Sequence, residues 1–184
     1  ALRLAQQRSG RLTIGHKANV LKSDVFFRDI CIAEAQAAGV PCNEKYIDAL
    51  ALDILQHPAA YDVIVTTNIF GDILSDVASY LIGGLGLVAS ANIGDRYALF
   101  EPVHGSAPDI AGKNIANPIA ALRSAAMLLS YCGDPLGSER IEAAIQGALE
   151  AGIRTRDLGG SAGTREFGEA VLRRLRQPDR CVLF

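Results

Sequence analysis

Short apolar runs alternate with longer helical repeats along the chain. The apolar runs predict strands or extended chain over residues 11–18, 40–47 and 61–67. Positions that repeat with helical spacing predict helices over residues 23–38, 48–56, 68–82, 118–132, 139–151 and 164–176. Strands that alternate with helices in this way indicate an α/β architecture.

Several helix ends carry local start and stop signals. Ser23 is expected to cap the first of these helices. Asn117 is a favourable N-cap, Pro118 suits the first helical position, and Gly133 suits the position just after the end. The interior of that helix, residues 119–131, is apolar nearly all round, so we expect it to be buried.

The remaining segments lack a helical repeat. Residues 83–86 (Gly-Gly-Leu-Gly) predict a turn and do not match the G-x-G-x-x-G pattern of dinucleotide-binding loops. Residues 87–100 are mixed, and residues 101–110 contain too many Pro and Gly for a helix. Residues 1–8 have no cap and resemble the end of a helix, so we expect further chain before Ala1.

Composition excludes some functional classes. The 184 residues suffice for one ordinary domain or two small lobes. Hydrophobic residues make up 49% and charged residues 21%, which is typical of a globular protein. A net charge of −2 gives no support for binding to nucleic acid or to an anionic membrane surface. No apolar run approaches the roughly 20 residues that a membrane span requires.

The four cysteines are Cys31, Cys42, Cys132 and Cys181, and none forms a Cys-x-x-Cys pair. Their spacing fits neither a zinc site nor a disulfide framework, so we interpret them as reduced thiols of a cytoplasmic protein. Cys31 and Cys132 fall within helical patterns and are expected in the core. Cys181, near the chain end, is expected at the surface.

Two aspartates follow the strand predicted over residues 61–67. Asp72 and Asp76 are four residues apart, which places both carboxylates on one face of a helix. Open α/β sheets bind ligands at the carboxyl ends of their strands, and carboxylate oxygens suit Mg²⁺ or Mn²⁺. Acidic residues near a helix start also stabilise the helix dipole, so the spacing alone leaves both interpretations open.

Five segments together resemble the β-decarboxylating dehydrogenases, which include isocitrate, homoisocitrate, 3-isopropylmalate and tartrate dehydrogenases. Any one short match would be weak evidence, whereas five in the family's order, spread over nearly the whole chain, are strong. The segments are residues 16–21 (HKANVL), 46–48 (YID), 67–76 (TNIFGDILSD), 101–117, and 157–160 (DLGG) followed by Gly163-Thr164.

The resemblance implies an α/β fold of the isopropylmalate/isocitrate dehydrogenase type, with flanking helices and two lobes around a cleft. Residues 1–85 would form the second half of a central domain that serves metal binding, substrate binding and dimerisation. Residues 86–184 would form the carboxyl-terminal part of the cofactor domain. Family members also have an amino-terminal segment with substrate-binding arginines and a catalytic tyrosine, which we expect to precede this chain.

The resemblance also implies a mechanism. The family oxidises a 2-hydroxy acid that carries a neighbouring carboxylate, transfers hydride to the nicotinamide, and releases carbon dioxide. Asp48, Asp72 and Asp76 match ligands of Mg²⁺ or Mn²⁺, which acidifies the hydroxyl and stabilises the resulting enolate. Lys17 matches the catalytic lysine, which can exchange a proton near neutral pH, although most lysines at strand ends are simply surface residues.

We assign Lys17 and Asp48 to catalysis. In the family, the residues that match them reach the active site of the neighbouring subunit. The resemblance therefore implies a homodimer with two shared active sites. Asn19 would contact the nicotinamide or the substrate. An ordinary hydrogen bond within the turn would account for an asparagine at this position equally well.

Residues 104–109 match the family's adenosine-binding loop, and Ala116 and Asn117 would line the same pocket. The resemblance places His104 near the adenine. An aspartate at position 109 can accept hydrogen bonds from a free ribose and repels a 2′-phosphate. NADP-preferring relatives carry a Lys-Tyr pair at Asp109 and Ile110, so we expect NAD as cofactor. The expected cofactor-binding residues are His104, Gly105, Ser106, Ala107, Asp109, Ile110, Ala116 and Asn117, the last of which is also a helix cap.

The substrate stays open at this point. His16 and residues 153–157 are closer to homoisocitrate and isocitrate enzymes, and 3-isopropylmalate enzymes often have Asp at the position of His16. A 3-isopropylmalate or tartrate dehydrogenase is the alternative. An alternative of another class is a non-catalytic partner subunit or an inactive fragment. The intact Lys17, Asp48, Asp72 and Asp76 argue against that class, because folding alone does not require all four.

We expect the 184-residue chain by itself to form no NADH from these hydroxy acids, because the resemblance places the substrate-binding arginines and the catalytic tyrosine outside it. The measurement is NADH absorbance with the purified chain, NAD, Mg²⁺ and each candidate acid. Steady NADH formation would contradict this expectation.

Overall fold

The computed structural model describes residues 1–176, which divide into one unit of residues Ala1–Leu81 and a second unit that begins at Ile82. The helices are α1 (Leu2–Gln7), α2 (Lys22–Ala37), α3 (Ile47–Gln56), α4 (Asn68–Ser79), α5 (Ile119–Tyr131), α6 (Pro135–Glu150) and α7 (Thr164–Arg176). The strands are β1 (Leu12–His16), β2 (Cys42–Tyr46), β3 (Val63–Val65), β4 (Ala89–Ile93) and β5 (Ala98–Pro102).

The first unit is built on the central strand β1, which pairs in parallel with β2 on one side and β3 on the other. All five residues of β1 are buried, as expected for a parallel strand that is covered on both faces. A Cβ atom at Gly15 would come within 2.9 Å of the Leu50 side chain, so α3 packs directly on this strand. The strand's carboxyl end therefore has a fixed position relative to α3.

Two apolar clusters stabilise the first unit. One joins the sheet to α1 and α2, and the other lies between α3 and α4. Full burial of a Leu or Ile side chain contributes roughly 1.5–3 kcal/mol to folding. The buried members are Ala5, Leu12, Ala35, Val40 and Val63 in the first cluster and Leu50, Ile54 and Leu74 in the second.

The second unit combines an antiparallel hairpin with three helices in the part that the structure describes. Strands β4 and β5 pair with Ala89 opposite Pro102 and Ile93 opposite Ala98. Helices α5, α6 and α7 meet around Ile119, Ile145 and Phe167, which are fully buried. This core supports the loop of residues 103–118, which connects β5 to α5.

The sequence predictions for the regular elements are largely confirmed. The three predicted strands are present as β1, β2 and β3, each shorter than predicted. The six predicted helices are present, but α6 begins at Pro135, four residues before the predicted start at Glu139. Its cap is Asp134, whose side chain accepts a hydrogen bond from the N–H of Gly137 at 2.9 Å. An Asp-Pro helix start is a recognisable signal that the sequence analysis overlooked.

The predicted cap Ser23 is wrong. Helix α2 begins at Lys22, Ser23 lies inside its first turn, and no side chain caps its start. The buried carboxylate of Asp24, in the same turn, accepts a hydrogen bond from the backbone N–H of Lys17 at 2.7 Å. The first turn of α2 therefore holds the backbone of the turn that follows β1.

The complete burial predicted for α5 is also wrong. Met127, Leu128 and Tyr131 are 37%, 44% and 50% exposed, because the hairpin and α6 cover only part of this helix. Cys132, which follows α5, is exposed instead of lying in the core. Cys31 is half-buried, and Cys181 lies outside the described residues.

The hairpin formed by β4 and β5 occupies the segment that had no strand prediction. Its four-residue connection, residues 94–97, contains none of the Asn-Gly or Asp-Gly dipeptides that mark tight hairpins. Within residues 1–176, no helix has both the length and the apolar character needed to cross a membrane.

The carboxylate of Asp62 connects the end of α1 to the start of β3. Its oxygens accept hydrogen bonds from the Ser9 hydroxyl (2.5 Å), the Arg8 guanidinium (2.5 Å) and the Ser9 backbone N–H (2.9 Å). These donors, the Ser9 hydroxyl first, lower the pKa of Asp62 to about 2. Asp62 therefore stabilises the folded state in its ionised form.

We predict that Asp62→Asn removes a pH-dependent part of the unfolding free energy. The folded pKa of about 2 lies below the unfolded value of about 3.9, so the contribution is complete above pH ~4 and disappears as the pH falls towards 2. Urea unfolding of both proteins across this range is the measurement. Asp29→Asn, which removes an exposed partner of the adjacent Arg28, is the control. A wild-type advantage that is independent of pH would contradict the prediction.

Candidate active site

Lys17 and Asp48 form an ion pair within the first unit. Lys17 directly follows β1, and Asp48 lies in the first turn of α3, directly after β2. The Lys17 Nζ atom lies 2.5 Å from the Asp48 carboxylate, with the two side chains 25% and 66% exposed. The hydrogen bond from Lys17, aided by backbone N–H groups at the start of α3, lowers the pKa of Asp48. The Asp48 carboxylate therefore holds the Lys17 ammonium group at the carboxyl ends of β1 and β2.

Two buried side chains hold the backbone of the turn that carries Lys17. Asp24 accepts the N–H of Lys17, and Nδ1 of His16 accepts the N–H of Ala18 at 3.2 Å. His16 is 1% exposed, and its ring packs edge-on against Tyr46. Asn19 lies exposed in the same turn. Asp24 was not predicted as a site residue, because no sequence pattern marks its burial or its contact with Lys17.

Asp72 and Asp76 lie on α4, directly after β3, and both are exposed. Within residues 1–176, neither carboxylate has a salt bridge or a hydrogen-bond partner. Two like charges one turn apart destabilise an isolated helix slightly. The pair is therefore chemically suited to a hard divalent cation, which carboxylate oxygens bind well.

The three predicted metal ligands do not form one cluster in a single chain. No group of three or more His, Cys, Asp or Glu residues that could hold a metal ion occurs among residues 1–176. Asp48 pairs with Lys17, whereas Asp72 and Asp76 are available to an external cation. Within residues 1–176, one chain thus presents two unpaired carboxylates on α4 and a separate lysine–carboxylate pair.

The second unit contains a cleft of about 1010 Å³ beside the loop of residues 103–118. Its lining includes most of the residues that the resemblance assigns to cofactor binding. Asp109 lies exposed in the short 3₁₀ turn Pro108–Ile110 and does not belong to the lining. The predicted residues that line the cleft are His104, Gly105, Ser106, Ala107, Ile110, Ala116 and Asn117.

Hydrogen bonds fix the inner wall of this cleft. The side chain of Asn117 donates to the Asp157 carboxylate at 2.9 Å and accepts the N–H of Ile119 at 2.9 Å. Asn117 therefore both caps α5, as expected, and links that helix to the loop before α7. A Cβ atom at Gly86 would approach both Asn117 and Asp157 to 3.3 Å, so the wall is closely packed there.

The outer part of the cleft has an open backbone. His104 donates from Nδ1 to the Gly105 carbonyl at 2.9 Å, which orients its ring. A Cβ atom at Gly105 would meet nothing within 4 Å, so a ligand can approach the backbone there. Ala107 has the left-handed φ of 43°, a strained conformation for a residue with a side chain and one often found at ligand-binding loops. The cleft thus offers both polar groups and open backbone to a ligand.

Sequence reasoning missed the other lining residues, which are Gly86, Ala111, Gly112, Asn114, Ile115, Arg156, Asp157 and Thr164. Residues 157–160 and Thr164 were part of the family match but received no site role. The missing information was tertiary: about forty residues separate Asn117 from Asp157, and no periodicity indicates that they touch. Helix-capping patterns hinted only at Asn117.

The chain is similar to known proteins over nearly its whole length. Residues 1–171 match the family model described as isocitrate/isopropylmalate dehydrogenase. The chain is 50% identical to an isocitrate/homoisocitrate dehydrogenase of Thermus thermophilus, over 96% of this chain and 54% of that protein. It is 47% identical to a 3-isopropylmalate/3-methylmalate dehydrogenase of Methanocaldococcus jannaschii, over 96% of this chain and 55% of that protein.

Among solved structures, isocitrate dehydrogenase from Methylococcus capsulatus superposes with a TM-score of 0.89 at 44% identity. That alignment covers 96% of this chain and 55% of the known chain. The chain thus spans about half the length of the curated relatives it matches. The family match over 171 residues and the shared fold lead to one conclusion: this chain belongs to the isocitrate/isopropylmalate dehydrogenase family.

Proposed function

We propose that the complete protein is an NAD-dependent, divalent-metal-dependent dehydrogenase that oxidises and decarboxylates a 2-hydroxy acid with a neighbouring carboxylate. The observation that carries this proposal is the pair of unneutralised carboxylates on α4, Asp72 and Asp76, in the same unit as the ion-paired Lys17. A metal-binding pair and a proton-transferring lysine are the two elements that such a reaction requires of the protein.

Asp72 and Asp76 are the proposed ligands of Mg²⁺ or Mn²⁺, and Asp48 is the proposed third ligand. The lack of a three-residue cluster within residues 1–176 is compatible with Asp48 coming from a second subunit. When bound, the divalent cation supplies positive charge to the oxygen atoms of the substrate. The protein's own contribution is to hold the carboxylates on a rigid helix at the end of β3.

Lys17 is the proposed acid–base residue. Its Nζ atom donates to Asp48, which keeps the ammonium group oriented while it exchanges a proton with the substrate. The hydrogen bonds from the backbone of Lys17 and Ala18 to Asp24 and His16 fix the base of the lysine side chain. These contacts limit the conformations of Lys17 before substrate binds, which favours reaction.

The cleft of the second unit is the proposed binding site for the adenosine part of NAD. Its 1010 Å³ volume is at the upper end of common ligand pockets. The open backbone at Gly105 and the oriented ring of His104 offer polar and stacking contacts. The exposed carboxylate of Asp109 is the proposed element that disfavours a 2′-phosphate.

A homodimer with shared active sites is the proposed assembly. Ile69 and Ile73 lie four residues apart on one face of α4 and are 69% and 55% exposed. Leu52 on α3 is 60% exposed. Apolar helix faces of this kind are typical of surfaces that pack against another protein chain. A second copy that covers α3 and α4 would bring its own Lys17 and Asp48 to the metal-binding pair.

The favoured substrate is of the homoisocitrate or isocitrate type, because of His16 and residues 153–157. The similarity to a 3-isopropylmalate/3-methylmalate dehydrogenase is nearly as high, so 3-isopropylmalate remains the alternative. Screening the complete protein with NAD, Mg²⁺ and each acid separates the two, since kcat/KM ranks the substrates directly.

We predict that Asp72→Asn reduces metal-dependent kcat/KM at least ~100-fold, because it removes a negative charge from the proposed metal site without a change in size. The measurement is turnover of the complete protein over a range of Mg²⁺ concentrations. Asp95→Asn, in the exposed hairpin connection, is the control for charge. Undiminished turnover by Asp72→Asn would contradict the proposal, and a complete protein without any turnover would favour the non-catalytic alternative.

We predict that Asp109→Asn increases the use of NADP relative to NAD, because it removes the charge that would repel a 2′-phosphate. The measurement is the ratio of kcat/KM values for the two cofactors, with Asp95→Asn again as the control. An unchanged ratio would contradict the proposed role of Asp109 in cofactor choice.

A further inference from the structure

Asn114 occupies an unusual position in the loop that borders the cofactor cleft. Its φ of 56° lies in the left-handed region, which among residues 1–176 only one other residue with a side chain, Ala107, adopts. Asparagine tolerates this region better than most residues. The conformation directs both its carbonyl and its side chain at the start of α7, fifty residues later in the chain.

Asn114 satisfies two backbone donors at the start of α7. The N–H of Thr164 donates to the Asn114 carbonyl at 3.0 Å, and the N–H of Arg165 donates to its side-chain oxygen at 3.0 Å. The first N–H groups of a helix have no partner within the helix and are usually satisfied by a neighbouring N-cap residue. Here a residue from a distant loop performs that role for α7.

The contact is reciprocal and closely packed. The Thr164 hydroxyl donates back to the carbonyl of Ala116 in the same loop. A Cβ atom at Gly163 would lie 2.5 Å from the side-chain nitrogen of Asn114 and 2.9 Å from its backbone carbonyl oxygen. Even the smallest side chain at position 163 would therefore displace the loop. Helix α7 itself is anchored by Phe167, Ala170 and Val171, which are fully buried.

The residues that join the loop to the start of α7 also line the cleft. Asn114, Ala116 and Thr164 all line it, together with Asn117, which is tied to Asp157. The loop is thus held by Asn117 and, at the start of α7, by Asn114 and Ala116. Loss of the Asn114 side-chain contact would loosen residues 104–116 relative to the rest of the cleft wall.

We propose that Asn114 is a positioning residue for the cofactor, which shapes the adenosine cleft by capping α7 from the loop. The inference rests on the proposed cofactor role of the cleft. The loop must adopt its bound shape before NAD arrives, and each conformational freedom it keeps reduces affinity. Asn114 acts on cofactor binding and leaves the chemistry of the bound complex unchanged.

The test compares Asn114→Gly with Asn114→Asp in the complete protein. Glycine accepts the left-handed φ and keeps the backbone carbonyl but lacks the side-chain oxygen that accepts the N–H of Arg165, whereas aspartate retains a side-chain oxygen at a helix start that favours negative charge. We expect Asn114→Gly to raise the Kd for NADH and the KM for NAD about fivefold to tenfold with kcat unchanged, as for the loss of one hydrogen bond. Asn114→Asp should stay within about twofold of wild type.

Gly163→Ala tests the same contact from the helix side, since position 163 has no left-handed φ and the methyl group only displaces Asn114. It should weaken NADH binding as Asn114→Gly does. Asp134→Ala is the stability control, because it removes the cap of α6, which is not part of the cleft. Wild-type affinity in Asn114→Gly, or an equal loss of affinity in Asp134→Ala at a similar melting temperature, would overturn the inference.

Hydrogen exchange separates this inference from the proposed function. In Asn114→Gly, the amide of Arg165 should exchange about tenfold faster, while amides in the middle of α7 keep their protection. If the wild-type protein binds no NADH, the proposed cofactor is wrong and the capping role is decided by exchange alone. Unchanged exchange at Arg165 would refute the capping role.

Discussion

The buried central strand β1 is the constraint on which the first unit depends. It pairs with both neighbouring strands, and its packing against Leu50 leaves no room for a side chain at Gly15. Because all three strands run in parallel, their carboxyl ends lie at one edge of the sheet. The chain places Lys17 after the first strand, Asp48 after the second and the Asp72–Asp76 pair after the third. The sheet thereby gathers every proposed catalytic element of this unit on one side.

Electrostatics divides these elements into two groups. The Lys17 ammonium already neutralises Asp48, whereas the carboxylates of Asp72 and Asp76 have no cation among the described residues. A divalent cation would neutralise the second group. This division is the physical reason to propose an active site with contributions from two subunits, in which each chain lends its lysine–carboxylate pair to the other.

Local patterns predicted the elements of the fold well, and tertiary packing explains the differences. Apolar runs and helical repeats predicted the strands and helices of the first unit, but the partial exposure of α5 depends on how few elements surround it. The resemblance to the family pointed to Lys17 and the aspartates as site residues. The structure adds the side chains of Asp24 and His16, which hold the backbone of the turn that carries Lys17. In the cleft of the second unit, sequence patterns gave no indication of the roles of Asn114 and Asp157, because their partners lie about forty or more residues away.

The most direct test of the central claim mixes two inactive variants of the complete protein, Lys17→Met and Asp72→Asn. Shared sites predict that mixed dimers contain one site with both changes and one intact site. Random reassembly should then restore about a quarter of wild-type activity per subunit, since half of the subunits enter mixed dimers. Activity that stays at the level of the separate variants would contradict shared sites, and full activity of either variant alone would contradict the proposed catalytic roles.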